Sequence, residues 1–181
     1  RVFCVHNPAS TAQFESKIPT MEQESENSLF APSWHKEDLA SQRAEAFQRW
    51  QDSVQPFSPF FVASASGRKD IYSHVKIVPL WHGSTAEKCD SICKTGFTFF
   101  GKHDPKDLTN TDIGYFGSGI YFTNSARYAA DIYSSGHLML AWVSMREPFP
   151  VVSEAPLYPP NEPKDMTILK GKGAYKTYNA H

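Results

Sequence analysis

The sequence predicts one domain of mixed helices and strands, on three observations. Runs rich in β-branched and aromatic residues occupy positions 2–5, 75–81, 120–123 and 138–143. Between them, apolar residues recur at helical spacing, as in Phe14, Ile18 and Met21 and again in Leu39, Ala46, Phe47, Trp50 and Val54. The 181 residues are 40% hydrophobic and 14% aromatic. A chain of that size buries about 70% of its unfolded surface, which excludes wholesale disorder and needs no covalent staples.

Taken in order, the first run, Val2-Phe3-Cys4-Val5, reads as a short strand. Asn7-Pro8 then supplies a cap and a first-turn proline for a helix through Met21. Residues 22–32 are acidic and polar and read as a loop. Ser33 caps the second helix, which Pro56 and Pro59 end, and residues 63–70 are linker-like. The strand at 75–81 leads into His82-Gly83-Ser84, where Ser84 and Glu87 make a capping-box pattern, so His82 and Gly83 are expected on a strand-to-helix turn. That helix buries Ala86, Cys89, Ile92 and Cys93 and stops at Gly96. A long polar loop follows to Asp112, and residues 114–119 are punctuated by glycine. The strand at 120–123 precedes a short helix at about 125–134. Leu138 to Val143 is apolar almost without alternation, as expected of a strand covered on both faces, and beyond Glu147 the chain is proline-rich loop with one more strand at most.

The 18 Lys and Arg nearly cancel the 19 Asp and Glu, for a formal charge of −1. This excludes a whole-chain counterion-release mode for nucleic acid and a polybasic membrane surface. Cys4, Cys89 and Cys93 are too few for a disulfide framework and predict a reducing, intracellular setting. No apolar run reaches membrane-spanning length, so no membrane partner is expected. The start at Arg1 and the stop at His181 suggest a piece of a longer chain.

Most candidate chemistry yields to a plain structural explanation. Cys89 and Cys93 share a helical face, but no second Cys/His pair stands at metal-ligand spacing, so core packing is the better reading and no metal is expected. His6, His35, His74, His103 and His137 have no ligand rhythm. No dinucleotide fingerprint, nucleophile elbow or P-loop is present, and Gly117-Ser118-Gly119 precedes a strand rather than a helix. What survives is His82-Gly83 together with the separate block Gly-Ser-Gly-Ile-Tyr-Phe at 117–122. A glycine at a strand end exposes its N–H and C=O to a planar amide, an imidazole bonds a sugar hydroxyl, and a tyrosine face stacks on an aromatic ring. Alone, His82 or Tyr121 would be an ordinary core residue. Together with their flanking glycines they describe a site for a carboxamide-bearing heteroaromatic nucleotide.

Several blocks in one order carry a family resemblance. They are Val5-His6-Asn7-Pro8, the stretch 17–21, Leu80-Trp81-His82-Gly83-Ser84, Thr95-Gly96-Phe97, and the ten residues 114–123 (Gly-Tyr-Phe-Gly-Ser-Gly-Ile-Tyr-Phe-Thr). Tyr128, Ala129, Tyr133 and the strand 138–143 continue them. Through these residues the sequence resembles the catalytic domain of poly(ADP-ribose) polymerase-like, diphtheria-toxin-type ADP-ribosyltransferases, most strongly over 75–152.

The resemblance implies an α+β fold: a split pair of antiparallel sheets with flanking helices and NAD⁺ in the cleft between them. A single catalytic domain would fill 1–181, with its last strand or strands beyond His181. Residues 22–70, with their helix, would be an insertion atypical of the family. By position, His82 would bond the adenosine ribose 2′-hydroxyl, the Gly83 backbone would hold the nicotinamide carboxamide, and Tyr121 would stack on the nicotinamide. Tyr133 or Tyr128 would close the other face of that ring. Ser84 and Tyr115 complete the expected NAD⁺-binding set, and His82 and Tyr121 are the expected catalytic pair. The implied reaction transfers ADP-ribose, as single units, to protein acceptors with nicotinamide release, a nucleic-acid acceptor staying open. The alternative is a module that keeps the fold to bind nucleotide or protein without transfer.

Departures from the family pattern motivate that alternative. Ser118 stands where a lysine is common, and the loop after Tyr121 is short. The nicotinamide-binding serine has two imperfect counterparts, Ser125 placed early and Tyr128 or Ala129 nearer its position. The third catalytic residue, a glutamate or its hydrophobic replacement, is expected beyond His181, since Glu147, Glu154 and Glu162 are poorly placed substitutes.

Overall fold

The computed structural model describes residues 1–27, 34–36, 39–57, 60–63, 69–72, 74–97 and 120–152, with the backbone alone at 57, 60–63 and 69–72. Helix α1 spans Pro8–Ser25. Its start follows the sequence: the Asn7 side chain accepts from the Ser10 N–H at 3.1 Å and Pro8 opens the first turn. Pro19 removes one helical hydrogen bond, yet the helix continues because Ile18 is fully buried against Val75 and Ile77, with Phe14 and Met21 beside it. Two expectations fail here. No strand forms at 2–5, where Val2 and Phe3 are 99% and 79% exposed, since no partner strand runs alongside among the described residues. The polar stretch after Met21 also stays helical to Ser25, because Glu, Gln and Met are good helix formers.

After a 3₁₀ turn at Trp34–Lys36, helix α2 spans Ala40–Val54. It begins later than expected because Leu39 takes a left-handed conformation (φ 60°, ψ 34°) that no helix can include. Ser33 lies outside the described residues. Trp34, Phe47 and Trp50 form an aromatic row, with centroids 5.1 and 5.2 Å apart. The proline-bounded end is a 3₁₀ turn at Gln55–Phe57. Two short strands, β1 (Phe60–Ala63) and β2 (Lys69–Tyr72), flank the linker-like stretch, overlap it at 63 and 69–70, and pair antiparallel with Phe60 opposite Tyr72; residues 64–68 lie outside the described residues.

The second antiparallel pair carries the motif residues. Strand β3 runs Lys76–Ser84 and β4 runs His137–Met145, registered so that His82 faces Met139 and Gly83 faces Leu138. Side chains alternate between faces. Ile77 therefore meets α1, while Val78 meets α2 through Val54 and, beside it, Met145. Trp50 donates to the Met145 sulfur at 3.3 Å. The strand at 138–143 is not covered on both faces: Leu138, Leu140 and Trp142 are 38%, 57% and 60% exposed. They lie on one face, the one that opposes Gly83, Trp81 and Pro79. An unbroken apolar run signals a strand without showing which face is packed.

Helix α3 spans Ala86–Thr95. Helix α4, Ala126–Tyr128, passes directly into a π-helical turn, Ala129–Tyr133, before β4. The chain thus has an α+β character, with two separate two-stranded antiparallel sheets among the described residues.

Candidate active site

His82 and Gly83 are part of β3, not of the turn after it. The strand continues through Ser84, and the N-cap of α3 is Thr85, whose hydroxyl accepts from the Lys88 N–H at 3.3 Å. Extending the ladder to Ser84 secures its backbone, since the Ser84 carbonyl also accepts from the Ser135 N–H at 3.1 Å. Ser84 is buried. The turn is shortened to one residue, so the motif sits on the rigid part of the sheet.

The free edge of β3 brings in the second motif. Trp81 and Thr123 exchange backbone hydrogen bonds, Trp81 N–H to Thr123 O at 2.7 Å and Thr123 N–H to Trp81 O at 3.0 Å. This is the one bridge in the expected strand at 120–123 among the described residues, which otherwise runs without ladder pairing. In an antiparallel ladder, successive residues turn their N–H and C=O to alternate edges. Gly83, two residues past Trp81, therefore presents both groups to this same edge. A further rung would set Gly83 against Tyr121, and none forms among the described residues. The edge opens at the glycine.

A third segment covers Gly83 from above. A Cβ on Gly83 would collide with the Ala129 carbonyl oxygen and lie 3.0 Å from both the Ser134 nitrogen and the Tyr133 carbonyl carbon. Glycine is required here for close backbone approach, not for a special φ. The π-helical turn has its own effect. Residues five apart point well away from each other in an α-helix but come together in a wider π turn. Tyr128 and Tyr133 are such a pair, with ring centroids 5.8 Å apart at 67°, and both are exposed. The sequence left the choice between these tyrosines open; the structure places them side by side. Ser125 is the N-cap of α4, its hydroxyl accepting from the Tyr128 N–H at 3.2 Å.

His82 is tied to Tyr121 by a 2.9 Å bond between its Nδ1 and the Tyr121 carbonyl oxygen. Its ring also packs against Phe97 (5.3 Å, 86°) and Phe122 (5.7 Å, 53°). Neither phenylalanine belongs to the expected site set, although both stand in the motif blocks, Phe97 in Thr95-Gly96-Phe97 and Phe122 at the end of 117–122; their packing on His82 depends on the Trp81–Thr123 bridge, which the sequence alone does not give.

His82, Gly83, Ser84, Tyr121, Tyr128 and Tyr133 thus gather around one end of β3. Tyr115, Gly117, Ser118, Gly119, Glu154 and Glu162 lie outside the described residues. Cys89 and Cys93 are half-buried on α3, while Ala86 is exposed rather than buried. Burial and the neighbouring thiol of Cys93 push the Cys89 thiol up from its ordinary pKa. Among the described residues, no three His, Cys, Asp or Glu side chains form a metal-binding group, and no helix is long and apolar enough to cross a membrane.

Against known protein families, residues 16–181 match the poly(ADP-ribose) polymerase catalytic domain. The chain belongs to this family. Enzymes with a PARP catalytic domain are ADP-ribosyltransferases that use NAD⁺ as substrate. No curated protein and no solved structure matches the chain. The PARP match includes α2 and both sheets, and it begins within α1, downstream of the Asn7-Pro8 block.

Proposed function

We propose that this PARP-family chain is an NAD⁺-dependent ADP-ribosyltransferase that adds single ADP-ribose units to protein acceptors, with NAD⁺ lying in a cleft along the open edge of β3. The observation that carries this reading is the edge at Gly83. A primary carboxamide offers one carbonyl acceptor and two N–H donors, which complement a backbone N–H and C=O pointing the same way. Gly83 supplies that pair where the Trp81–Thr123 bridge has ended.

The other roles complete the proposal. Tyr121, next to Gly83 across the open edge, stacks on the pyridine ring, and one of the Tyr128 and Tyr133 rings closes its other face. His82 bonds a ribose hydroxyl, and Ser84 and Tyr115 complete the binding set. In the reaction, the bond from C1′ of the ribose to the pyridinium nitrogen breaks. The electron pair leaves with neutral nicotinamide, and an acceptor nucleophile bonds to C1′ and loses its proton. The residues named here orient the ring, hold the leaving amide and fix the ribose, so that little motion separates bound substrate from transition state.

Calorimetry with NAD⁺, coupled to an assay for released nicotinamide, tests the proposal. Binding with release in the parent protein, weakened at least tenfold in His82→Ala, is expected. Binding without release in the presence of acceptor protein favours a nucleotide-binding module without transfer, and no binding at high NAD⁺ concentration overturns the enzyme reading and favours a non-transferring module that binds protein.

A further inference from the structure

We infer that Phe97 and Phe122, with the Tyr121 carbonyl, are positioning groups that lock the His82 imidazole in a single tautomer and present its Nε2 as a hydrogen-bond acceptor. The inference deepens the function proposed above and rests on it for the identity of the ligand, but not for the state of the ring. A carbonyl oxygen can only accept, so the 2.9 Å bond to Tyr121 requires the proton on His82 Nδ1. In the neutral ring, Nε2 is then the unprotonated nitrogen. The ribose hydroxyl must therefore donate to His82 rather than accept from it.

One hydrogen bond leaves a ring free to swing about it; two further contacts remove that freedom. Phe97 stands nearly perpendicular to the imidazole at 5.3 Å, and Phe122 is tilted against it at 5.7 Å. The two phenyl rings are themselves edge-packed at 5.1 Å and 68°, which closes a triangle of three rings. Each ring comes from a different segment: β3, the second residue after α3, and the strip bridged to Trp81. Phe97 reaches the triangle because Gly96 turns the chain at φ 80°, its N–H still bonded to the Ile92 carbonyl. The end of α3 is pinned by Asn7, whose Nδ2 donates to the carbonyls of Cys93 at 3.2 Å and Lys94 at 3.1 Å. The imidazole orientation thus depends, beyond Tyr121, on Phe97, Phe122, Gly96 and Asn7, to which no ligand contact is assigned.

The ring state is read on ligand-free protein by ¹⁵N NMR of labelled histidine, with the His82 signals assigned by their loss in His82→Gln. Nδ1 is expected to be protonated and Nε2 unprotonated in the parent. Phe97→Ala and Phe122→Ala are expected to mix the tautomers and to weaken NAD⁺ binding by about two- to tenfold each, the scale of one lost aromatic pair. Nicotinamide itself, which does not carry the adenosine ribose, should bind these variants as it binds the parent. Phe97→Tyr keeps the ring and is expected to restore the single tautomer. Where Phe97→Ala does not fold, Phe97→Leu, which keeps bulk without the ring, gives the same readout. A protonated Nε2 in the neutral parent ring, or unchanged tautomer and NAD⁺ affinity in folded Phe97 and Phe122 variants, overturns the inference. The expected tautomer in a protein that does not bind NAD⁺ leaves the clamp standing and removes the proposed function.

Discussion

The Cα of Gly83 lies under the Ala129 carbonyl so closely that no side chain fits between them. The blocking atoms, in Ala129, Tyr133 and Ser134, are all backbone, so they cannot swing aside as a side-chain tip would. Gly83→Ala must therefore push the π-helical turn off β3. Overpacking of this kind costs about 1–3 kcal/mol. Urea denaturation should show that loss, and calorimetry should show NAD⁺ binding falling further than the stability loss explains, because Tyr128 and Tyr133 move with the turn.

Glu22 links α1 to the start of β3. Its carboxylate accepts from the His74 N–H at 2.9 and 3.1 Å and from the Val75 N–H at 2.8 Å. Val75 is 1% exposed, so its N–H would lose this partner with little water at hand. Glu22→Ala is expected to destabilise the fold by about 2 kcal/mol, and Glu22→Gln, which keeps one acceptor oxygen but not the charge, by about half that. The two denaturation midpoints should fall in that order. Midpoints equal to the parent's in both variants would show that the carboxylate contributes no more than any surface glutamate.

Arg43 holds α2 to the segment after β4. Its Nη1 donates to the Pro150 carbonyl at 2.6 Å, and its guanidinium lies 4.7 Å from the centroid of the Phe149 ring, a side chain only 2% exposed. Removing both contacts in Arg43→Ala should cost about 2 kcal/mol. Arg43→Lys should recover less than half of it, since an ammonium group cannot lie flat on the ring and bond the carbonyl at once. Thermal melts of the three proteins check the order.

The first turn of α3 carries a pH-dependent contribution. Hydrogen bonds from the local backbone N–H and the Thr85 side chain hold the Glu87 carboxyl below its ordinary pKa, with a smaller effect from His137. A depressed carboxyl pKa stabilises the fold above the ordinary carboxylate range and loses that contribution as pH falls through the depressed value. Because Glu87 is fully exposed, the effect is small. Glu87→Gln should be slightly less stable than the parent near neutrality and indistinguishable from it in acid. Thr85→Ala, which also removes the cap, should cost about 1 kcal/mol at neutral pH.

Local chemistry made much of this protein readable in advance. Asn7-Pro8 opened α1, the apolar spacing from Ala46 to Val54 marked the body of α2, and Gly96 closed α3, because caps, apolar spacing and chain-stopping glycines act within a few residues of one another. The boundaries misjudged have two causes. Residues 22–25 stay helical on local propensity, since polarity alone does not break a helix, whereas the strand at 75–81 runs on to Ser84 because β4 and Ser135 extend its pairing. The run at 2–5 has β propensity but no strand beside it among the described residues, and propensity without a partner makes no sheet.

The site divides in the same way. That His82, Gly83 and Tyr121 lie near one another was legible in one dimension, since motif residues keep their order along the chain and the chemistry of imidazole, backbone amide and phenol is intrinsic to each. How they are arranged was not. The edge to which Gly83 turns its N–H and C=O follows from where the Trp81–Thr123 bridge ends. The oxygen that meets His82 Nδ1 belongs to a residue 39 positions away. The pairing of Tyr128 with Tyr133 needs a π turn. Hydrogen-bond direction, register and ring packing are relations between separated segments, and they acquire values only once the chain has brought those segments into contact.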